Sequence, residues 1–433
     1  MRTLARAWHD STEGNQIENQ KSPIQNLPLP DQLLSKAQAH RVNLLDFLTA
    51  LVRIPSVNGR ENEAAVAQRV AEEADRLDFE ARLVSADSTR PNVLVEWGHG
   101  PAGFALIGHL DTVAEGDHAA WTSGPFAAEI REGRLYGRGT ADNKAGIACG
   151  LYTLALLRDR GLLHPDDAHV TLAGVVDEES GASSTLGVRY LLDQGLLRAE
   201  GAIYTYASDI VCIGHRGLLR LRLHAEGRAI HSGSPAWAQG QGGVNAITGL
   251  AEILLALEAL ELPAPAHRAF KGLGCTMTPG TRVEGGEFES MVPAHAEALV
   301  DVRLMPGQDS ADVIATVEDV IAEVTTRRPG LGVTIEVKNN LPGAAIPVDH
   351  PLATTAQRYA ERVTGVTWPI AGAGPANEGY MLIGAGIPTL CGFGPTGGNA
   401  HAPDEWVSVE SLPSTVAMYA GIIQEYLTDK DVT

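Results

Sequence analysis

Hydrophobic positions along this chain follow two rhythms, and the switch between them divides it. Apolar residues at helical spacing (Leu44, Leu45, Leu48, Leu51, Val52) predict a helix over 33–52 that stops before Pro55. Further helices are expected over 61–77, 147–158, 350–363 and 412–427. A short, wholly apolar run at 104–107 and a mostly apolar one at 170–176, with 91–97 and 387–391, read as strands, the first as expected of a sheet covered on both faces. After Gly214 the rhythm changes. Leu219, Leu221 and Leu223 alternate with Arg220, Arg222 and His224, as in a strand with one solvated face. A helix at 244–260, strands at 276–284 and 297–303, a helix at 310–326 and a strand at 333–337 complete a βαββαβ order, the ferredoxin-like unit. The fold class expected is therefore α/β, a mixed, mostly parallel sheet flanked by helices, in a first domain of residues 31–213 and 339–433 that is interrupted by a ferredoxin-like domain at 214–338. Residues 1–30, polar and carrying Pro23, Pro28 and Pro30, are expected to form an arm.

Composition narrows the partners. With 33 basic and 53 acidic residues the net charge is −20, so neither nucleic acid nor an anionic membrane is expected to bind. Cys149, Cys212, Cys275 and Cys391 form no CxxC pair, which argues against a disulfide framework or a thiolate zinc site. There is no 18-residue apolar stretch and no cleavable leader pattern, so a cytoplasmic location is expected.

Chemistry gathers at four segments. His109 and Asp111 follow the apolar run 104–107 directly, at the strand edge where open α/β sheets bind ligands. Asp142 lies in the glycine-rich stretch 137–146 ahead of a helix, Asp177-Glu178-Glu179 follows the run 170–176, and His401 ends a late loop. Two imidazoles (His109, His401) and two carboxylates (Asp142, Glu179) are the ligand types of a hydrolytic metal site, with Asp111 placed to orient His109 and Glu178 left over as general base. Taken singly, an HxD is as readily a satisfied core pair and a DEE a solvated acidic turn. A GxGxxG at 392–397 is followed by no apolar helix, so it offers no dinucleotide site, and no GxSxG occurs.

The ordered set GHLDTV (108–113), GRGTADNKAG (137–146), DEE (177–179), AIHSGSP (229–235), DVRLMPG (301–307), Gly394-Pro395 and AHAPDE (400–405) resembles the M20 metallopeptidase family, which includes acetylornithine deacetylase, succinyl-diaminopimelate desuccinylase, aminoacylase and glutamate carboxypeptidase. The match runs from about residue 44 to the C-terminus. It implies a zinc-peptidase-like catalytic domain and one or two Zn²⁺ per subunit, with Co²⁺ or Mn²⁺ as substitutes. His109, Asp142, Glu179 and His401 would be the ligands, Glu178 the base and Asp111 the orienter of His109. It further implies a homodimer through 214–338, with His231 reaching the facing subunit's substrate and Asn245 and Arg303 gripping a substrate carboxylate. The activity implied is hydrolysis of the amide of an N-acyl amino acid by metal-activated water; the alternatives are a metallo-dipeptidase or carboxypeptidase, or an impaired member that only binds a ligand. Three departures stand out. Where the family carries a further acidic ligand, this chain has Thr205 and Tyr206, and Asp209 is the nearest carboxylate, a ligand if the loop shifts by about one turn. Asn377 stands where Asp is usual, and Asn143-Lys144-Ala145 replaces Met-Lys-Gly.

Overall fold

The computed structural model describes residues 29–429. Apolar runs do become strands buried on both faces. A six-stranded sheet has the order Ala81–Val84, Asn92–Gly98, Ala168–Val175, Ala102–His109, Gly201–Tyr204 and Thr389–Leu390. The last four strands run parallel, and Asn92–Gly98 is antiparallel to both its neighbours. Phe104 and Leu106 point into a core built with the helices Arg41–Val52, Ala64–Arg76, Ala145–Arg160 and Ser411–Thr428. Ala105 and Ile107 point the other way, against Val188, Leu191, Met381 and Leu382. Sequence-adjacent residues thus serve opposite cores, which is why the run shows no alternation.

The alternating segment behaves as its pattern requires. Gly217–Glu226 is central in a four-stranded antiparallel sheet of order Thr276–Gly285, His295–Leu304, Gly217–Glu226, Gly332–Leu341. Leu219, Leu221 and Leu223 pack under the helices Ala246–Glu258 and Ser310–Arg327 in a separate core. On the other face Arg220 pairs with Asp301, and Arg222 and His224 with Glu297 and Glu336. The βαββαβ order is as expected, with one added helical turn, Pro235–Ala238.

The structure differs from expectation in places. The helix expected over 33–52 is two helices, Leu29–Ala39 and Arg41–Val52, which meet at His40, whose amide bonds back to the Ala37 carbonyl. The first of them takes in the last two residues assigned to the N-terminal arm; residues 1–28 of that arm lie outside the described ones. Two small sheets were not anticipated. Val211–His215 pairs with Ala344–Ala345 and Ile370–Ala373, and Glu129–Arg131, Arg134–Tyr136, Trp406–Ser408 and Gly397–Gly398 form the other. Their strands are two to five residues long, too short for a periodicity to show. Among the described residues, no helix is long and apolar enough to cross a membrane.

Candidate metal centre

Parallel strands put their ends together. His109 sits opposite Val175 in the ladder, and Asp177, Glu178 and Glu179 follow that neighbouring strand, while Thr205 and Tyr206 follow Gly201–Tyr204 on the other side. All three segments leave the sheet at the same C-terminal edge.

Asp142 is brought to this edge by the glycine-rich turn, and the turn is held by a carboxylate distant in sequence. Glu405, fully buried, accepts from the amides of Gly139 (3.0 Å), Ala141 (2.8 Å) and Asp142 (3.0 Å) and from Arg138 (2.6 Å). Gly139 takes φ +84°, a conformation open to glycine at little cost. The Asp142–Asn143 peptide is cis.

The expected donors converge on Asp142. His109 Nε2 lies 2.7 Å from Asp142 Oδ1, and His401 Nε2 lies 3.2 Å from Asp142 Oδ2 and 3.1 Å from Glu179 Oε1. One donor atom each from His109, Asp142 and Glu179 falls within 4.8 Å of the other two. Although burial opposes it, hydrogen bonds to His109 and His401 hold the Asp142 carboxyl well below the usual range. The same bonds, to Asp142 and Glu179, lift His401 to about 10. Charge is thus already paired in the protein alone, and the donor set of two imidazoles and two carboxylates at this spacing fits a divalent cation.

Asp111 does more than expected and not quite in the manner expected. His109 Nδ1 is 2.9 Å from the Asp111 main-chain carbonyl and 3.6 Å from its carboxylate, so the carbonyl is the nearer partner of the ring. The carboxylate instead accepts from the amides of Glu178 (3.3 Å) and Glu179 (3.0 Å) and from Asn58 (2.7 Å). Asn58 also donates to Asp177, which pairs with Arg90, itself clamped on buried Glu63. The cation that three consecutive acids call for is supplied in part by Arg90.

Glu178 is buried, and burial, reinforced by Glu179, Glu378 and Asp142, raises its carboxyl well above the ordinary value despite His109. Its Oε1 accepts from the Tyr206 hydroxyl at 3.0 Å. Tyr206 in turn stacks on Tyr204, with ring centroids 5.1 Å apart and planes 21° apart.

A cavity of about 580 Å³ opens over these groups, lined by Asp142, Glu178, Glu179 and His401 and, from the inserted unit, by Arg220 and Arg303. Arg303 is held by Asp301 at 2.8 Å, and Arg220 shares the same acid at 3.0 Å. Asp209 lines the cavity too, but it is exposed and outside the three-residue cluster. The shift that would make it a ligand is not seen, because its loop is tied down by Ala207 to Ala141, Ser208 to Pro395 and Ser208 Oγ to Ile210. His231 and Asn245 do not line the cavity: His231 is exposed beside Met291, and the Asn245 side chain caps the helix Ala246–Glu258 through Thr248. Asn377 lines the cavity and donates to the Cys391 carbonyl.

Sequence reading passed over Glu405, Asn58, Arg90 and Glu378. Glu405 lay within the quoted AHAPDE motif, so its signal was present; the other three act through residues tens to hundreds of positions away and leave no local pattern.

Comparison with known proteins gives a consistent result. The profile described as Peptidase family M20/M25/M40 matches residues 105–425. A succinyl-diaminopimelate desuccinylase of Cereibacter sphaeroides is 30% identical over 399 residues, covering 88% of this chain and 98% of that protein. An acetylornithine deacetylase of Salmonella typhi is 28% identical over 397 residues, covering 88% and 97%. Among solved structures, an M20 family metallo-carboxypeptidase from Sulfolobus solfataricus superposes with a TM-score of 0.69 at 19% identity, covering 89% of this chain and 99% of that one.

Proposed function

The chain belongs to the M20/M25/M40 peptidase family and is a metal-dependent hydrolase of amide or peptide C–N bonds; from that premise we propose that it removes the acyl group from an N-acyl amino acid, as a deacetylase or desuccinylase does. The observation that carries this reading is the convergence of His109, Asp142, Glu179 and His401 at the floor of one cavity, beside a buried acid, Glu178, that no cation pairs. The four side chains would hold the ion, and the mixed nitrogen and oxygen donors suit Zn²⁺, with Co²⁺ or Mn²⁺ as substitutes. When bound, such an ion lowers the pKa of water and polarises the scissile carbonyl.

The chain's own groups supply the rest. Asp111 fixes the direction of the His109 ring through its carbonyl and the position of Glu178 through its carboxylate. Glu178 takes a proton from the attacking water and returns it to the leaving amine; a carboxyl raised by burial is matched to both tasks. Arg303, pre-oriented by Asp301, is suited to bidentate contact with the substrate carboxylate, and Arg220 adds a second positive charge to the cavity wall facing Asp142, Glu178 and Glu179. His231 and Asn245 lie away from their own chain's cavity. They would serve, with His231 stabilising the oxyanion, from a facing subunit joined through residues 214–338.

A dipeptidase or carboxypeptidase reading uses the same machinery, and the cavity volume admits a dipeptide. A panel of N-acetyl and N-succinyl amino acids and dipeptides, assayed with Zn²⁺, Co²⁺ and Mn²⁺, separates these. Glu178→Gln is expected to keep its metal and lose turnover by roughly 10²- to 10⁴-fold. Near-normal turnover in that variant removes Glu178 as the base, and no metal uptake by the wild type leaves only a ligand-binding protein.

A further inference from the structure

We propose that Tyr206 is a positioning residue for the base Glu178, and that by occupying the His109 side of the centre with a phenol it limits the site to one metal ion per chain. The inference rests on the reading of Glu178 as base given above. Glu178 has three free torsions and sits among the carboxyl groups of Glu179, Asp142 and Glu378, with the His109 imidazole as the group of opposite sign. A carboxylate so placed would swing onto a neighbouring cation unless something else holds it. The Tyr206 hydroxyl does so, donating to Oε1 at 3.0 Å and leaving Oε2 as the free oxygen.

The tyrosine is itself fixed. Its ring stacks on Tyr204 and lies against His109, with centroids 5.6 Å apart, and the Tyr204 hydroxyl donates to the buried Glu378 Oε2 at 3.1 Å. Thr205, between the two tyrosines, donates from Oγ1 to the Ile107 carbonyl at 3.0 Å, locking the strand end on which both are carried. A tyrosine has two torsions, and here both are taken up by packing, so it holds Glu178 at little entropic cost.

The same placement counts the ions. Asp142 touches both histidines, and the donors that close on one point are His109, Asp142 and Glu179, with His401 at hydrogen-bond distance from two of them. His109, Asp142 and Glu179 thus gather as the donors of one site, with His401 beside it on the other oxygen of Asp142. A second ion beside His109 needs another anionic oxygen in reach. The group there is a phenol whose hydrogen is committed to Glu178. Asp209, the other carboxylate of the loop, is exposed and tied away.

Metal stoichiometry tests the inference without relying on activity. Protein loaded with Zn²⁺ and exhaustively dialysed is expected to carry one ion per chain by mass spectrometry of the metal, Tyr206→Phe also one, and Tyr206→Glu two. On the best-cleaved N-acyl amino acid of the panel, Tyr206→Phe is expected to lower kcat by roughly 10- to 100-fold with KM unchanged, a split that a merely structural role would not give. Two ions in the wild type, loss of the ion in Tyr206→Phe, or an unchanged kcat in that variant each overturn it. The two readings fail separately: if Glu178→Gln stays active, the base assignment falls and this inference with it, whereas an inactive Glu178→Gln beside a two-ion wild type sinks this inference alone. Because the wild-type count needs no variant to fold, two ions there overturn the inference whatever the variants do, and one ion in Tyr206→Glu overturns the role given to the phenol.

Discussion

Glu378 is an acid buried without a cation. Its Oε2 accepts from Tyr204, its Oε1 has no partner, and burial, with Asp111 nearby, pushes the carboxyl up to about 8. The sign of the consequence follows from linkage. Between the unfolded value of 4.5 and about 8 the folded chain holds a proton that the unfolded chain has lost, so stability falls as pH rises through that window. Glu378→Gln, which keeps an acceptor for Tyr204, should flatten that slope and gain about 4 kcal/mol over wild type at alkaline pH. Urea denaturation of both proteins at pH 5 and pH 9 measures it, and parallel pH dependences would refute it. Residues of this kind set the limit of sequence reading at the smallest scale. His109, Glu179 and Asp142 could be picked out because each adjoins a strand end or a helix start. Glu378 and Tyr206 acquire their roles only through contacts made across the sheet, 174 and 28 positions away.

At the scale of elements, the glycine-rich turn and its helix carry the tightest constraint. A Cβ on Gly146 would lie 1.8 Å from the Thr205 carbonyl oxygen, which is main chain and cannot rotate aside. Gly146→Ala must therefore push the first turn of Ala145–Arg160 away from the strand end that bears Tyr206, carrying Asp142 with it. A loss of about 3 kcal/mol is expected from such overpacking, read as a lower urea midpoint, together with weaker Zn²⁺ retention on dialysis. An unaltered midpoint would mean that the helix and the strand end are not packed as described. The long helices and the buried strands were legible because their hydrophobic period outlasts two or three turns or fills both faces of a sheet. The break at His40 was not, since apolar positions continue through it from Leu33 to Val52 and only the backbone turns. Two-residue strands such as Thr389–Leu390 are fixed by the neighbour they pair with, here Gly201–Tyr204, and no local pattern encodes that neighbour.

At the scale of the whole molecule, the placement of the four-stranded antiparallel unit beside the cavity bears on which chain completes the site. The inserted unit lends Arg220 and Arg303 to the cavity, yet His231 is exposed and its Nδ1 accepts only from the amide of Gly233, two residues on. If His231 stabilises the oxyanion, it must do so in another copy's cavity. Such an exchange is closed and reciprocal in a two-fold dimer: each site combines Glu178 of one chain with His231 of the other. That geometry makes a prediction about mixtures. Glu178→Gln and His231→Ala homodimers should each be nearly inactive. Unfolded together in equal amounts and refolded, they form hybrids in which one site lacks both groups and the other has both intact. With half the dimers hybrid and one of two sites restored in each, activity should recover to roughly a quarter of the wild-type value. If instead His231 serves its own chain, every site in the mixture lacks one group and nothing is recovered. Size-exclusion chromatography of the refolded mixture shows whether dimers formed, so a lack of recovery in a dimeric sample removes the shared site and not merely the refolding.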